Sequence, residues 1–200
     1  TLTGRPVTLI NANGAPMGKR HFVFYNPPVI NQQLGIRKGV IPETRAIAEM
    51  LLKCGIQTIT FARSRLNVEV LTKYLKDVVR DPLGNAGRVR GYRGGYLPTQ
   101  RREIEKGLRA GQIDAVVSTN ALELGIDIGA LDACILCGYP GTIASAWQQA
   151  GRAGRRDAAG EVVIQTTEPE HPVIRQVAAG DYEAMARTQL AERRAFAYPP

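Results

Sequence analysis

Residues 57–82 read QTITFARSRLNVEVLTKYLKDVVRDP, and this stretch decides the fold. QTITFA is a short run rich in β-branched and aromatic residues, the pattern of a buried strand. Ser64 then offers an N-cap, and Val68, Leu71, Leu75 and Val78 recur at i, i+3, i+7 and i+10. That spacing is one face of an amphipathic helix, which ends before Asp81-Pro82. A strand that feeds a helix of this length cannot turn straight back. The next strand arrives by a crossover and lies parallel.

The alternation extends in both directions. Upstream, residues 42–54 predict a helix that Gly55 ends, with Pro42 tolerated in its first turn. Downstream come RVRGY as a strand, a helix led by Pro98 through Ile104 and Leu108 to Gly111, and DAVVST as a strand. DACILCG then reads as a strand, TIASAWQQAG as a short helix and EVVIQT as a strand. The expectation is an α/β fold of the RecA-like (P-loop NTPase) or doubly wound type, mainly parallel, with helices on both faces. Ligands of such sheets gather beyond the carboxyl ends of the strands.

Three regions follow. Residues 1–41 predict a β-hairpin, VTLINA and KRHFVFYNP joined by NGAPMG, and then a loop carrying Pro27, Pro28, Gly35 and Gly39. Residues 42–167 form the RecA-like domain. Residues 168–200 predict a helical tail that stops at Tyr198-Pro199-Pro200 and is expected to be truncated.

Composition narrows the function classes. The 200 residues are 44% hydrophobic and carry 26 Lys+Arg against 18 Asp+Glu, a formal charge of +8, with a pI near 9.7. This balance favours a polyanionic partner. No apolar run approaches the roughly 20 residues of a membrane span, and the opening TLTGRPVTLI lacks the order of a secretory signal. Three cysteines make no closed disulfide framework, so a reduced, cytoplasmic protein without a membrane partner is expected. Cys134 and Cys137 form a C-x-x-C, but on a strand two residues three apart face opposite ways. They read as buried small hydrophobes, with no metal site. Gly18-Lys19 is a decoy: Asn13 stands where a phosphate loop needs glycine, and Arg20 where it needs Ser or Thr.

Four segments after strands could carry chemistry. QQAGRAGRR, residues 148–156, interleaves arginine forks with glycines that permit close backbone approach, matching phosphate oxygens. STNALELGIDIG, residues 118–129, sets hydroxyl and amide groups at a strand end and a carboxylate after Gly125 that could accept from a ribose hydroxyl. FARSR and GYRGGYLPTQRR place Ser64, Arg65, Arg93 and Gly94 where a phosphodiester could be met. Each has a blander alternative: a solvated basic loop, a capped turn, or arginines that serve solubility.

Read in order, TITFARSR, YRGGYLPTQRREIEKGLRAGQ, VVSTNALELGIDIG and QQAGRAGRR resemble motifs IV, IVa, V and VI of the second RecA-like domain of superfamily-two helicases. VTLINANGAPMGKRHFVFYNPP, LGIRKG and GYPGTIASAWQQAGRAGRR are similar to the DEAD/DEAH-like DNA-repair helicases of the mitomycin-repair type. GEVVIQTTEPEHPVI with AGDYEAMARTQLAERRAFAYPP resembles primosomal helicases of the PriA type. One lineage with features of both, or a junction near residues 151–160, would account for this, and so repair and replication restart both stay open.

The resemblance implies an ATP-dependent 3′–5′ DNA helicase whose ATP and Mg2+ lie between two RecA-like domains. The Walker A and metal-binding carboxylates would belong to the first domain, a partner of this one. Arg152 and Arg155 match the motif VI arginines that reach the triphosphate, Arg155 as the finger. Gln148 matches the first position of that motif, and Gly125 and Asp127 the part of motif V near the nucleotide sugar. Thr119, Ser64, Arg65, Arg93 and Gly94 would touch the phosphates of single-stranded or forked DNA. The rival class is a non-catalytic nucleic-acid-binding module. A small-molecule enzyme finds little support, since no Ser/His/Asp or Cys/His set accompanies His21 and His171.

Overall fold

TITFA, read above as a buried strand, is β4 (Thr58–Ala62), and all five of its residues are buried. It lies inside a six-stranded sheet of order β1-β8-β7-β4-β6-β5. The other strands are β1 (Arg20–Tyr25), β5 (Val89–Tyr92), β6 (Ala115–Ser118), β7 (Ala133–Cys137) and β8 (Gly160–Gln165). All five pairings are parallel. A computed structural model of the chain describes residues 8, 20–78, 88–129, 131–154 and 160–165. Arg155, residues 168–200 and, apart from Thr8, the expected first hairpin arm (residues 7–12) lie outside the described residues. No helix among the described residues is long and apolar enough to cross a membrane.

The two-residue side-chain period of the strands divides the core into two layers. Ile59, Phe61, Val116, Cys134 and Leu136 meet α3 (Pro98–Arg109) and α4 (Ile143–Ala150) through Ile104, Leu108, Ile143 and Ala146. Ala62, Val117, Ile135 and Cys137 meet α1 (Val40–Lys53) and α2 (Arg65–Val78) through Ala48, Leu51, Val68, Leu71 and Leu75. The expected RecA-like sheet, covered on both faces, is therefore present. Cys134 and Cys137 sit in opposite layers, and burial raises both thiol pKa values.

Two local readings gain detail. Residues 20–25 were expected as the second arm of a hairpin whose first arm lies outside the described residues. As β1 they pair in parallel with β8, His21 opposite Glu161 and Phe24 opposite Ile164, which joins this segment to the main sheet. The loop expected after it contains a small antiparallel pair, β2 (Val29–Asn31) with β3 (Ile36–Arg37). Asn31 Oδ1 accepts the Leu34 N–H at 3.0 Å, and Gly35 takes φ +64°, a conformation that side-chain-bearing residues avoid. These two features close the turn.

Candidate functional site

Three of the expected segments leave the sheet from one row of register. Phe61 is opposite Ser118, which is opposite Tyr92, so the chain emerges there toward Arg63, toward Thr119 and toward Arg93. Strands lie about 4.8 Å apart, which sets the three exits side by side in one row. A cup of about 220 Å³ opens beside the ends of β4, β6 and β7, lined by Arg63, Thr119, Asn120, Gly138, Ser145 and Gln149, and Arg93 does not line it. At the end of β6 the Ser118 hydroxyl is buried and has no hydrogen-bond partner among the described residues.

Within this region the expected residues differ in how free they are. Ser64 Oγ accepts the Asn67 N–H at 3.1 Å and caps α2. Arg65 begins that helix and is exposed. Thr119 Oγ1 caps a 3-10 turn, Asn120–Leu122. Arg93 Nε pairs with Glu69 Oε1 at 2.8 Å and its guanidinium lies 5.0 Å from the centre of the Tyr96 ring. Tyr96 donates to the same Glu69 oxygen at 3.0 Å. Burial, and then this bond, raise the Tyr96 pKa. Gly94 is exposed, with open space where a Cβ would stand. Beneath them Tyr92, fully buried and donating to Glu105 at 2.7 Å, is pushed up to about 12, chiefly by burial.

The remaining expected residues gather elsewhere. Asp127, Gly129, Gly151, Arg109 and Arg152 line a shallow hollow of about 740 Å³. Arg152 donates through Nη1 to the Ile126 carbonyl at 2.7 Å and through Nη2 to the Glu123 carbonyl at 2.9 Å. Arg109 Nη1 donates to the Asp127 carbonyl. The Asp127 carboxylate accepts the Gly129 N–H at 3.0 Å and remains exposed. Gly125 turns the loop with φ +73°. Buried Gln149 donates to Glu123 Oε2 at 2.9 Å, and a parallel bridge of Leu131 with Ala153 ties the end of this loop to the arginine segment. Gln148, half-buried on α4, is not among the residues lining either space.

The sequence reading thus placed Arg152, Gly125 and Asp127 in one neighbourhood, and Ser64, Arg65, Thr119 and Arg93 along one edge. It missed Arg63, whose side chain reaches the cup beside Gly138, and it missed Asn120. Both stand one residue from positions it chose, so strand-end position was the signal available. It gave Gln149 no role, whereas that side chain anchors Glu123. Arg109 lies within YRGGYLPTQRREIEKGLRAGQ, where only Arg93 and Gly94 were singled out.

An α/β sheet whose carboxyl edge presents basic and hydroxyl groups, beside an arginine-braced loop, defines a nucleotide- or nucleic-acid-handling domain of the RecA-like type. The chain belongs to the family described as the helicase conserved C-terminal domain, which matches residues 43–157. It is 55% identical over 163 residues to the uncharacterized ATP-dependent helicase YprA of Bacillus subtilis, covering 82% of this chain and 22% of that protein. The DUF1998 helicase MrfA, solved bound to DNA and AMPPNP, superposes with a TM-score of 0.76 at 50% identity, over 90% of this chain and 25% of MrfA. The C-terminal domain of the DEAD-box protein Dbp5 shares the fold, with a TM-score of 0.56 at 18% identity over 86% of this chain and 89% of that one. The chain spans about a quarter or less of the length of YprA and MrfA.

Proposed function

We propose that this chain is the second motor domain of an ATP-dependent 3′–5′ DNA helicase or translocase, and that the domain begins at β1 rather than at residue 42. The single observation that carries the reading is the common register from which the segments bearing Arg63, Thr119 and Arg93 leave the sheet. Groups set in one row suit a sugar-phosphate backbone, and such contacts position a strand without reading its sequence. Ser64, Arg65, Gly94 and Asn120 stand on the same edge and complete the grip. The 3′–5′ polarity comes from the resembled families.

On the nucleotide side, the hollow beside Asp127 fits one wall of an ATP site. Its carboxylate is exposed and able to accept from a ribose hydroxyl, while Gly129 and Gly151 permit close approach. ATP with Mg2+, whose remaining ligands would come from a first RecA-like domain, supplies the phosphoryl transfer that drives the cycle. Gly125 shapes the loop near the sugar, and Gln148 lies at the entry to the arginine segment. Arg155 is the arginine that would stabilise charge on the γ-phosphate. Arg152 braces the loop by holding the Glu123 and Ile126 carbonyls. Closure of the two lobes then brings this phosphate grip toward the other, and opening releases it, so the strand is passed along.

The sequence has no Walker A, so the isolated chain should bind single-stranded DNA with marked salt dependence and hydrolyse no ATP, with or without DNA. Steady turnover by the purified fragment would overturn the assignment of the motifs. DNA binding by the full-length protein without any DNA-stimulated ATP turnover would instead favour a stand-alone binding module.

A further inference from the structure

The cup at the strand ends and the hollow beside Asp127 share no lining residue among those described, yet Glu123 is bonded to a side chain from each. Half-buried at the start of the 123–129 loop, it gives its carbonyl to Arg152 Nη2 at 2.9 Å, and Arg152 lines the hollow. Its carboxylate oxygen Oε2 accepts from Gln149 Nε2 at 2.9 Å, and Gln149 lines the cup. The two donors are themselves tied, the Arg152 N–H donating to the Gln149 carbonyl at 3.0 Å. Glu123 is therefore held at its backbone and at its side chain by one short segment that touches both spaces.

The Gln149 amide has an uncommitted donor. A primary amide carries two N–H groups. One meets the Glu123 carboxylate, which only accepts, so the amide nitrogen faces it. The same nitrogen stands 3.5 Å from Ser145 Oγ, beyond the roughly 2.7–3.2 Å of a good N–H···O bond. Gln149 is only 5% exposed, and a buried N–H bonded this loosely is stabilised by any better acceptor that enters. Arg63, Thr119 and Asn120 line the same cup, with no Asp or Glu among the described residues of its wall. The acceptor that fits is an anion, and on a DNA strand it is a phosphate oxygen.

We propose that Gln149 both binds the strand and positions the nucleotide wall, one N–H on a phosphate oxygen in the cup and the other on Glu123. The proposal rests on the DNA-translocating reading above. A phosphate in the cup fixes the amide, the amide fixes Glu123, and Glu123 sets the start of the loop that carries Asp127. Linkage makes the effect mutual: nucleotide against that loop changes the affinity of the cup by the same factor.

The test is the single-strand DNA affinity of the full-length protein, measured with and without a non-hydrolysable ATP analogue. In the unaltered protein the analogue should change that affinity about tenfold. Gln149→Leu should bring the change to within about twofold of none. Glu123→Ala, at a half-buried position and with the carbonyl bond to Arg152 intact, should do the same, and the double variant should go no further. Arg63→Ala should weaken binding in both states alike and keep the full response to nucleotide, which is also the pattern of a residue that merely shapes the cup. A full nucleotide response in Gln149→Leu or in Glu123→Ala overturns the link while the helicase reading stands. An unaltered protein whose DNA affinity ignores the analogue also overturns it, and the absence of DNA-stimulated ATP turnover in that protein sinks the helicase reading as well.

Discussion

The loop of residues 123–129 and the segments leaving β4, β5 and β6 both carry arginines, but they use them in opposite ways. In the loop the carbonyls of Glu123, Ile126 and Asp127 each accept from a guanidinium, two from Arg152 and one from Arg109. At the strand ends Arg63 and Arg65 form no ion pair with a described residue, and Arg93 holds a pair that is one-third to one-half exposed. A partly buried carbonyl that loses a charged donor is left unsatisfied, whereas an exposed ion pair contributes little and exchanges readily for a phosphate. One region is fixed and the other is available. Under the proposed function that division is the one a cycling motor needs, a constant wall for the nucleotide and a grip that lets go.

The sharpest way to break this contrast is Arg152→Ala, which leaves two carbonyls without their donors and should cost about 2 kcal/mol in urea unfolding. Arg152→Lys should recover little, because one ammonium cannot replace a two-armed fork. Unchanged stability in both variants would mean that the loop is not held in this way. A smaller effect is expected at the edge. Arg63→Ala should leave unfolding unaffected, weaken single-strand binding by roughly tenfold at low salt and reduce the salt slope by about 0.7. A normal slope would remove Arg63 from the grip. The smallest effect sharpens the comparison. Glu69→Gln releases Arg93 and should tighten DNA binding by at most about fivefold at low salt, with the gain lost in high salt. Weaker binding would show that the Glu69 pair positions Arg93 for DNA rather than competing for it.

The layered sheet was legible because strand and helix periods are local properties. TITFA and the Val68, Leu71, Leu75 stripe appear as read, Pro98 opens α3 as expected, and the opposite facing of Cys134 and Cys137 follows from strand geometry alone. What stayed hidden depends on partners distant in sequence. The segment KRHFVFYNP has the composition of any strand, and nothing in it says that β8 is a neighbour. The site was legible by neighbourhood and not by contact. Glu69 lies 24 positions before Arg93 with no periodic relation to it, and the bonds made by Arg109 and Arg152 end on backbone carbonyls, which every residue carries. Arg63 and Arg65 are equivalent as letters, and only the exit from β4 puts Arg63 at the cup.

The central claim is that this lobe completes a triphosphate pocket through its arginine segment, and Arg155→Ala in the full-length protein tests it most directly. DNA-stimulated ATP hydrolysis should fall by about a thousandfold or more, with single-strand affinity largely retained. Turnover equal to that of the unaltered protein would contradict the account.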